Sequence, residues 1–384
     1  MKILFPYLAR WKAVNWTRYH SILTQLAYAG HEIHIIQAPK MSSEEANFQD
    51  IDIDIPENIF LYEADINSKF WKRKWPLDKL AKKGYYALST YGLVKKIIEE
   101  KNIDILLLYN LPHYPLLSIK GCIKIFDYAD DYMDMLKYEM GKLDFALLLN
   151  LGKRLLEKMM REANITFCIS NVLAKSAKGN VYTLPNGVDA DLAVIGSGKS
   201  IKQQYKKPII GFIGSFEYFI DFTLILNAAR LLPEATFLLV GSGRKWNHVA
   251  NKIKELSLTN IFLIGGVPHA EIFKYIDAMD ICLNIFKKLP ISHAACPIKL
   301  FEYLVMKKPV ISTRLKEVEI INNDFLFFAD TAEEFVDCIK KIIKHGSLAQ
   351  SYAMRGYKVV IEKYTWPKIA EEFITIAGKH AGKK

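Results

Sequence analysis

Lys299 and Glu302 stand three residues apart in the stretch 297–313, whose pattern is that of a short helix running into a buried strand. That spacing puts both side chains on one helical face close to the helix start, where free backbone N–H groups and the helix dipole favour a phosphate. A lysine so placed can neutralise a diphosphate. The carboxylate can accept hydrogen bonds from ribose hydroxyls, so the two together suit both halves of a nucleotide diphosphate. The same spacing also describes an ordinary surface ion pair.

Other residues could join such chemistry. Asp127, Asp130 and Asp131 crowd the end of an expected strand; mutual repulsion and partial burial would raise one pKa towards neutrality and make a general base. Capping of the following helix is the equal alternative. Gly211 and Gly214 precede Ser215 and Phe216 at another strand end, and Gly241, Ser242 and Gly243 repeat the device after the next strand. Glycines there let a backbone approach a phosphate or sugar closely, or simply turn the chain. Asn186–Gly187 reads as a turn with a positive-φ position. Trp11, Trp16, Arg18 and His20 surround the first loop and helix; Arg18 could meet a phosphate, while a histidine one turn into a helix is more often packed. His113, His269 and His293 fall in expected loops, with His293 beside Ser292 the most suggestive.

The elements that must hold these residues follow from periodicity. Apolar runs at 2–5, 31–37, 103–108, 123–127 and 165–169 alternate with helical or irregular stretches, and runs at 209–213, 236–240, 261–264, 281–285 and 309–312 do so more regularly. That alternation predicts two parallel α/β sheets. A chain of 384 residues that is 51% hydrophobic exceeds one core. Residues 192–207, rich in Gly, Ser and Lys, read as the linker between them. Ligands of open α/β sheets bind beyond the carboxyl ends of the strands, so a cleft between the two halves is the expected site.

The net charge of +11 is concentrated: residues 69–101 hold ten lysines and arginines against three acidic residues. Phe70, Trp71, Trp75, Tyr85 and Tyr86 are interleaved with them, a mixture that suits an anionic membrane surface as well as a solvated face. No nucleic-acid-binding spacing accompanies it, and no nucleic acid partner is expected. The five cysteines are widely spaced and read as reduced core residues, without metal-ligand spacing. The start enters a strand without a signal core and no apolar run reaches ~20 residues. A cytoplasmic protein, or one peripheral on the cytoplasmic membrane face, is the resulting expectation.

Taken in order, these motifs resemble those of nucleotide-sugar glycosyltransferases of the GT-B fold. More narrowly they are similar to the family 4-like group 1 transferases of teichuronic-acid and exopolysaccharide synthesis. The resemblance spans most of the chain and rests on residues 29–32, 127–131, 184–189, 211–216 with Asp221, 241–243 and 297–313, together with Tyr364, Thr365 and Trp366. It implies two Rossmann-like domains facing each other across a cleft, 1–191 for the acceptor and 192–365 for the nucleotide sugar. A C-terminal helix, 366–384, would return to the first.

By the resemblance, Asp130 occupies the catalytic centre with Asp127 and Asp131 beside it. Gly214, Ser215, Gly241, Ser242, Gly243, Pro297, Ile298, Lys299, Leu300 and Glu302 bind the donor, and Trp16, Arg18 and His20 contact acceptor or phosphate. The implied reaction moves a sugar from a nucleotide diphosphate sugar, a UDP-sugar favoured over a GDP-sugar, to a hydroxyl of a lipid-linked or growing glycan. It needs no cofactor and no metal. Two departures stand out. Ala294 replaces the first of a pair of glutamates eight positions apart, and no Arg or Lys lies between Ser215 and Asp221. The alternatives are a nucleotide-sugar 2-epimerase and a catalytically degenerate scaffold in a glycan-assembly complex.

Overall fold

The structure, a computed structural model, describes residues 1–12, 16–39, 55–67, 78–140, 146–322 and 324–381. The chain divides into two compact units, Met1–Pro185 with Trp366–Lys384, and Asn186–Thr365. The first is built on seven parallel strands: β1 (Lys2–Tyr7), β2 (Glu32–Gln37), β3 (Ile59–Glu63), β4 (Ile105–Leu108), β5 (Ile123–Tyr128), β6 (Ile165–Cys168) and β7 (Val181–Thr183). Their order is β3-β2-β1-β4-β5-β6-β7. β1 pairs on one side with β2 and on the other with β4, so the order reverses there. Five of the six residues of β1 are buried, as a sheet covered on both faces requires.

The second unit has six parallel strands: β8 (Ile209–Ile213), β9 (Thr236–Val240), β10 (Ile261–Ile264), β11 (Ile281–Asn284), β12 (Val310–Ser312) and β13 (Phe327–Phe328), ordered β10-β9-β8-β11-β12-β13. Its reversal lies between β8 and β11. Gly214 and Ser215 follow β8 at this second reversal, where open α/β sheets hold ligands; the aspartates 127–131 stand instead at the end of β5, beside β4 of the first reversal.

Three expectations change. The division falls between Pro185 and Asn186, and 192–207 is packed into the second unit rather than left as a linker. Gly198 N donates to Asp277 Oδ2 at 2.8 Å, and Lys202 Nζ meets Asp280 Oδ1 at 2.5 Å. A Cβ on Gly198 would lie 2.2 Å from the Lys274 carbonyl oxygen, so its glycine serves close packing rather than flexibility. Second, Asn186–Gly187 is not among the positive-φ positions, which in this unit are Gly196, Gly214, Gly241, Gly243, Ser257, Lys307 and Asp324.

Third, the basic segment is partly core. Residues 68–77, with Lys69, Phe70, Trp71 and Trp75, lie outside the described residues. Beyond them, helix Asp78–Ser89 buries Tyr86 fully, with its hydroxyl donating to the Ile36 carbonyl at 2.7 Å, and Lys82 is only 6% exposed. Lys95 and Lys96 face Glu99 and Glu100 along helix Tyr91–Lys101. Tyr86 is therefore not a membrane anchor. Among the described residues no helix is long and apolar enough to cross a membrane.

Helix Trp366–Ala381 belongs to the first unit and packs on helix Arg18–Tyr28. Trp366, Ile369, Phe373 and Ile376 are buried, and Phe373 meets Phe167 with ring centroids 5.1 Å apart.

Candidate functional site

In the second unit, helix Ile298–Val305 begins beside the end of β8, and two hydrogen bonds fix it there. Ile213 N donates to Tyr303 Oη at 2.8 Å, and Asn186 Nδ2 donates to the Cys296 carbonyl at 2.7 Å. Lys299 is thereby carried over two rings, its Nζ 4.4 Å from the Phe212 centroid and 4.9 Å from that of Phe286. Gly214 makes the room. With φ at +138°, it is a position L side chains rarely adopt, and a Cβ there would come within 2.9 Å of Lys299 Cε. Burial lowers the Lys299 pKa to about 7, against the opposing pull of Glu302. Such an ammonium is poorly solvated and gains from any anion that approaches it.

Glu302 is 6% exposed. No ion pair joins it to Lys299 among the described residues, which removes the surface-pair reading; its partner is His269, with Nε2 3.5 Å from Glu302 Oε1. His269 Nδ1 lies 4.0 Å from Asp189 Oδ2. Burial works against a charged imidazole here, but Glu302 and then Asp189 outweigh it and hold the His269 pKa above its ordinary value. Asp189 is pushed up to about 6 by burial, with His269 opposing and Glu302 and Asp191 adding.

The glycines of 241–243 have a structural reason of their own. Gly214 N donates to the Val240 carbonyl and Phe216 N to the Ser242 carbonyl, which draws two loops together. A Cβ on Gly241 would sit 2.0 Å from the Gly214 carbonyl oxygen, and one on Gly243 2.8 Å from Phe216 N. Ser215 and Ser242 remain exposed beside them. Leu300 is fully buried, so its side chain is core and cannot contact a donor; Pro297 is also buried and brings no N–H, while Ile298 is half-buried. Arg244, which the sequence did not single out, reaches the same loop and meets Glu217 at 2.7 Å.

In the first unit the three aspartates have three different fates. Asp127 is buried and holds Arg18 in a bidentate pair, Nε to Oδ2 and Nη2 to Oδ1, each 2.9 Å. Arg18 also donates to the carbonyls of Leu184 and Pro185, both at 3.2 Å. The expectation that Arg18 meets a phosphate is corrected: its fork is committed internally, as a buried charge demands. Asp127 is likewise a structural partner rather than a base. Asp131 Oδ1 accepts from Met133 N and Asp134 N at 3.2 and 3.1 Å and so caps helix Tyr132–Met140.

Asp130 alone of the three is open to solvent at the end of β5, yet ringed by protein on its other sides. That desolvation first, and the Asp127 charge second, raise its pKa to about 7, while Arg18 pulls it down. A carboxyl poised there can exchange a proton near neutrality.

His20 is packed rather than reactive. Its Nδ1 accepts from Thr17 N at 3.0 Å, its Nε2 donates to the Trp11 carbonyl at 2.9 Å, and burial lowers its pKa to about 4. Its ring stacks between Trp11 and Trp16, whose indole N–H is given to Ser21 Oγ at 2.7 Å. Of the remaining histidines, His113 is fully buried and His293 Nδ1 accepts from Lys316 N at 3.3 Å.

The sequence of residues 223–375 matches the profile of the "Glycosyl transferase-like" family. The matched stretch includes Lys299, Glu302 and His269. A curated relative, the putative teichuronic acid biosynthesis glycosyltransferase TuaH of Bacillus subtilis, is 28% identical over 199 residues, 48% of this chain and 50% of the relative. The chain thus spans about half the length of the curated relative it matches. Sucrose-phosphate synthase from Thermosynechococcus elongatus superposes with a TM-score of 0.81 at 13% identity, covering 100% of both chains. A glycosyltransferase from Rickettsia africae gives 0.72 at 16% identity over 100% of this chain and 99% of its own. HepE of Anabaena, solved with UDP and glucose, gives 0.71 at 13% identity over 99% and 100%. The fold is therefore the two-domain GT-B fold.

Proposed function

We propose that this protein transfers a sugar from a nucleoside diphosphate sugar, a UDP-sugar in the first instance, to a hydroxyl of a lipid-linked or growing glycan. The observation that carries the reading is Lys299 over Gly214 with Glu302 one turn on, a desolvated cation beside a buried carboxylate at the end of β8. Lys299 and the N–H groups at the helix start would hold the diphosphate, and Glu302 would accept the ribose hydroxyls. The related proteins support the donor class: HepE structures contain UDP and UDP-glucose, and TuaH is named for teichuronic acid synthesis.

In the proposed step Asp130 takes the proton from the acceptor hydroxyl. The freed oxygen forms a bond to the anomeric carbon as the bond to the diphosphate breaks, and the nucleoside diphosphate leaves with the electron pair. Lys299 would balance the charge that develops on that leaving group, so no metal is assigned to this role. Peripheral attachment to a membrane surface, suited to a lipid-linked acceptor, remains part of the proposal.

The experiment is thermal unfolding and calorimetry with UDP, GDP, ADP and dTDP. A ligand at about 100 times its Kd adds about 2.7 kcal/mol to the folded state, so the donor nucleotide should raise Tm clearly, and Lys299→Met should abolish the rise. Binding should persist in EDTA. The reading would be abandoned if no nucleotide shifted the transition, or if Lys299→Met bound as tightly as the parent.

A further inference from the structure

Asp189, His269 and Glu302 form a row that neither the sequence motifs nor the related proteins account for. Three separate elements deliver it: the residue before the 3-10 turn Ala190–Leu192, the first residue of helix His269–Ala278, and helix Ile298–Val305. Helix Ile298–Val305 would hold a glutamate here whatever its orientation. What His269 adds is an ion-pair partner on one carboxylate oxygen, its Nε2 3.5 Å from Oε1 of a glutamate only 6% exposed.

We propose that His269 is the positioning residue for Glu302, with the Asp189 carboxylate facing its other ring nitrogen. The inference rests on reading Glu302 as the ribose acceptor. An ionised glutamate offers two oxygens and about four lone-pair directions. With Oε1 engaged by His269, Oε2 is left for the ribose diol and the side chain does not have to be ordered when the nucleotide arrives. Ordering a free glutamate side chain costs rotamer freedom, so a carboxylate held in advance discriminates better between sugars that have the diol and those that lack it. Set between two carboxylates, the imidazole pairs with both as the imidazolium, whose two nitrogens each carry a proton. Asp189 favours that form from the far side, at 4.0 Å.

The test compares UDP, 2′-deoxy-UDP and inorganic pyrophosphate by calorimetry on the full chain. A hydrogen bond to a charged group predicts that the parent prefers UDP over 2′-deoxy-UDP by about 10- to 100-fold. Glu302→Gln should largely erase the preference. His269→Gln should reduce it to within about 3-fold while pyrophosphate affinity, which reads Lys299, stays within about 2-fold. Asp189→Asn should fall between the two and carries the test if His269→Gln does not fold. The inference is overturned if His269→Gln keeps the full preference where Glu302→Gln loses it, or if it loses pyrophosphate and UDP alike. If Glu302→Gln itself keeps the preference, or the parent binds neither UDP nor pyrophosphate, the ribose reading fails and takes this one with it.

Discussion

The three aspartates at the end of β5 show how neighbouring carboxylates acquire different chemistry. Asp127 is neutralised by Arg18, Asp131 is spent on a helix start, and Asp130 is left with a pKa raised to about 7. A carboxyl whose folded pKa lies above its unfolded value binds protons more readily folded. It opposes folding increasingly as pH climbs from about 4 to about 7, and the full penalty stands above that window. Asp130→Asn removes the titration. It should abolish transfer and leave UDP affinity within about 2-fold, while raising Tm relative to the parent at pH 8 and not at pH 4. Melting curves at the two pH values, with assays of transfer and binding, check this; equal Tm differences at both pH values would show that Asp130 does not carry the strain. The cluster was legible in the sequence, but the choice within it was not. Arg18 lies 109 residues from Asp127 in the chain, and only the fold brings its guanidinium there. His269 was equally opaque, a lone histidine until the helix starts set it between Asp189 and Glu302.

Elements were easier to read than partners. The runs expected at 209–213 and 236–240 coincide with β8 and β9, because strands buried between helices are nearly continuous apolar stretches; that at 261–264 coincides with β10, an edge strand that is apolar in sequence though only Ile261 of it is buried. β3 and β13 escaped notice for a physical reason: each is an edge strand, β3 with Phe60 43% exposed and β13 only two residues long. The glycine loops lie between these extremes. Their positions suggested close approach, but the structure shows that Gly241 and Gly243 approach the neighbouring backbone, and that Gly214 makes room for Lys299. Gly241→Ala should therefore act through the loop rather than through a lost ligand contact. Its Cβ would stand 2.0 Å from the Gly214 carbonyl oxygen at a φ of +138°. Strain of about 1–3 kcal/mol plus the clash should destabilise the second unit by about 3 kcal/mol and weaken UDP binding through the displaced Gly214. Chemical denaturation measures the first effect. A loss of binding with unchanged stability would assign Gly241 to the ligand instead.

At the scale of the whole chain, the second unit is inserted within the first, since Met1–Pro185 is completed by Trp366–Lys384. The entry and exit of the inserted unit are tied side by side: Val188 and Thr365 form a parallel bridge and Val188 N donates to the Tyr364 carbonyl at 2.8 Å. Helix Trp366–Ala381 then buries Trp366, Ile369, Phe373 and Ile376 in the first unit. At about 1.5–3 kcal/mol for each large apolar side chain, these four contribute about 6–12 kcal/mol, comparable with the whole stability of a typical domain. A chain ending at Thr365 should therefore leave the first unit without a cooperative transition, exposing the apolar face of helix Arg18–Tyr28 to aggregation. The second unit, Asn186–Thr365, keeps its strands, Lys299, Glu302 and His269. Its transition should persist and still rise with UDP. Scanning calorimetry of the shortened chain separates the cases. Two undisturbed transitions would mean that the last helix is dispensable, whereas a lost UDP response alongside the lost first transition would mean that donor binding needs the first unit intact.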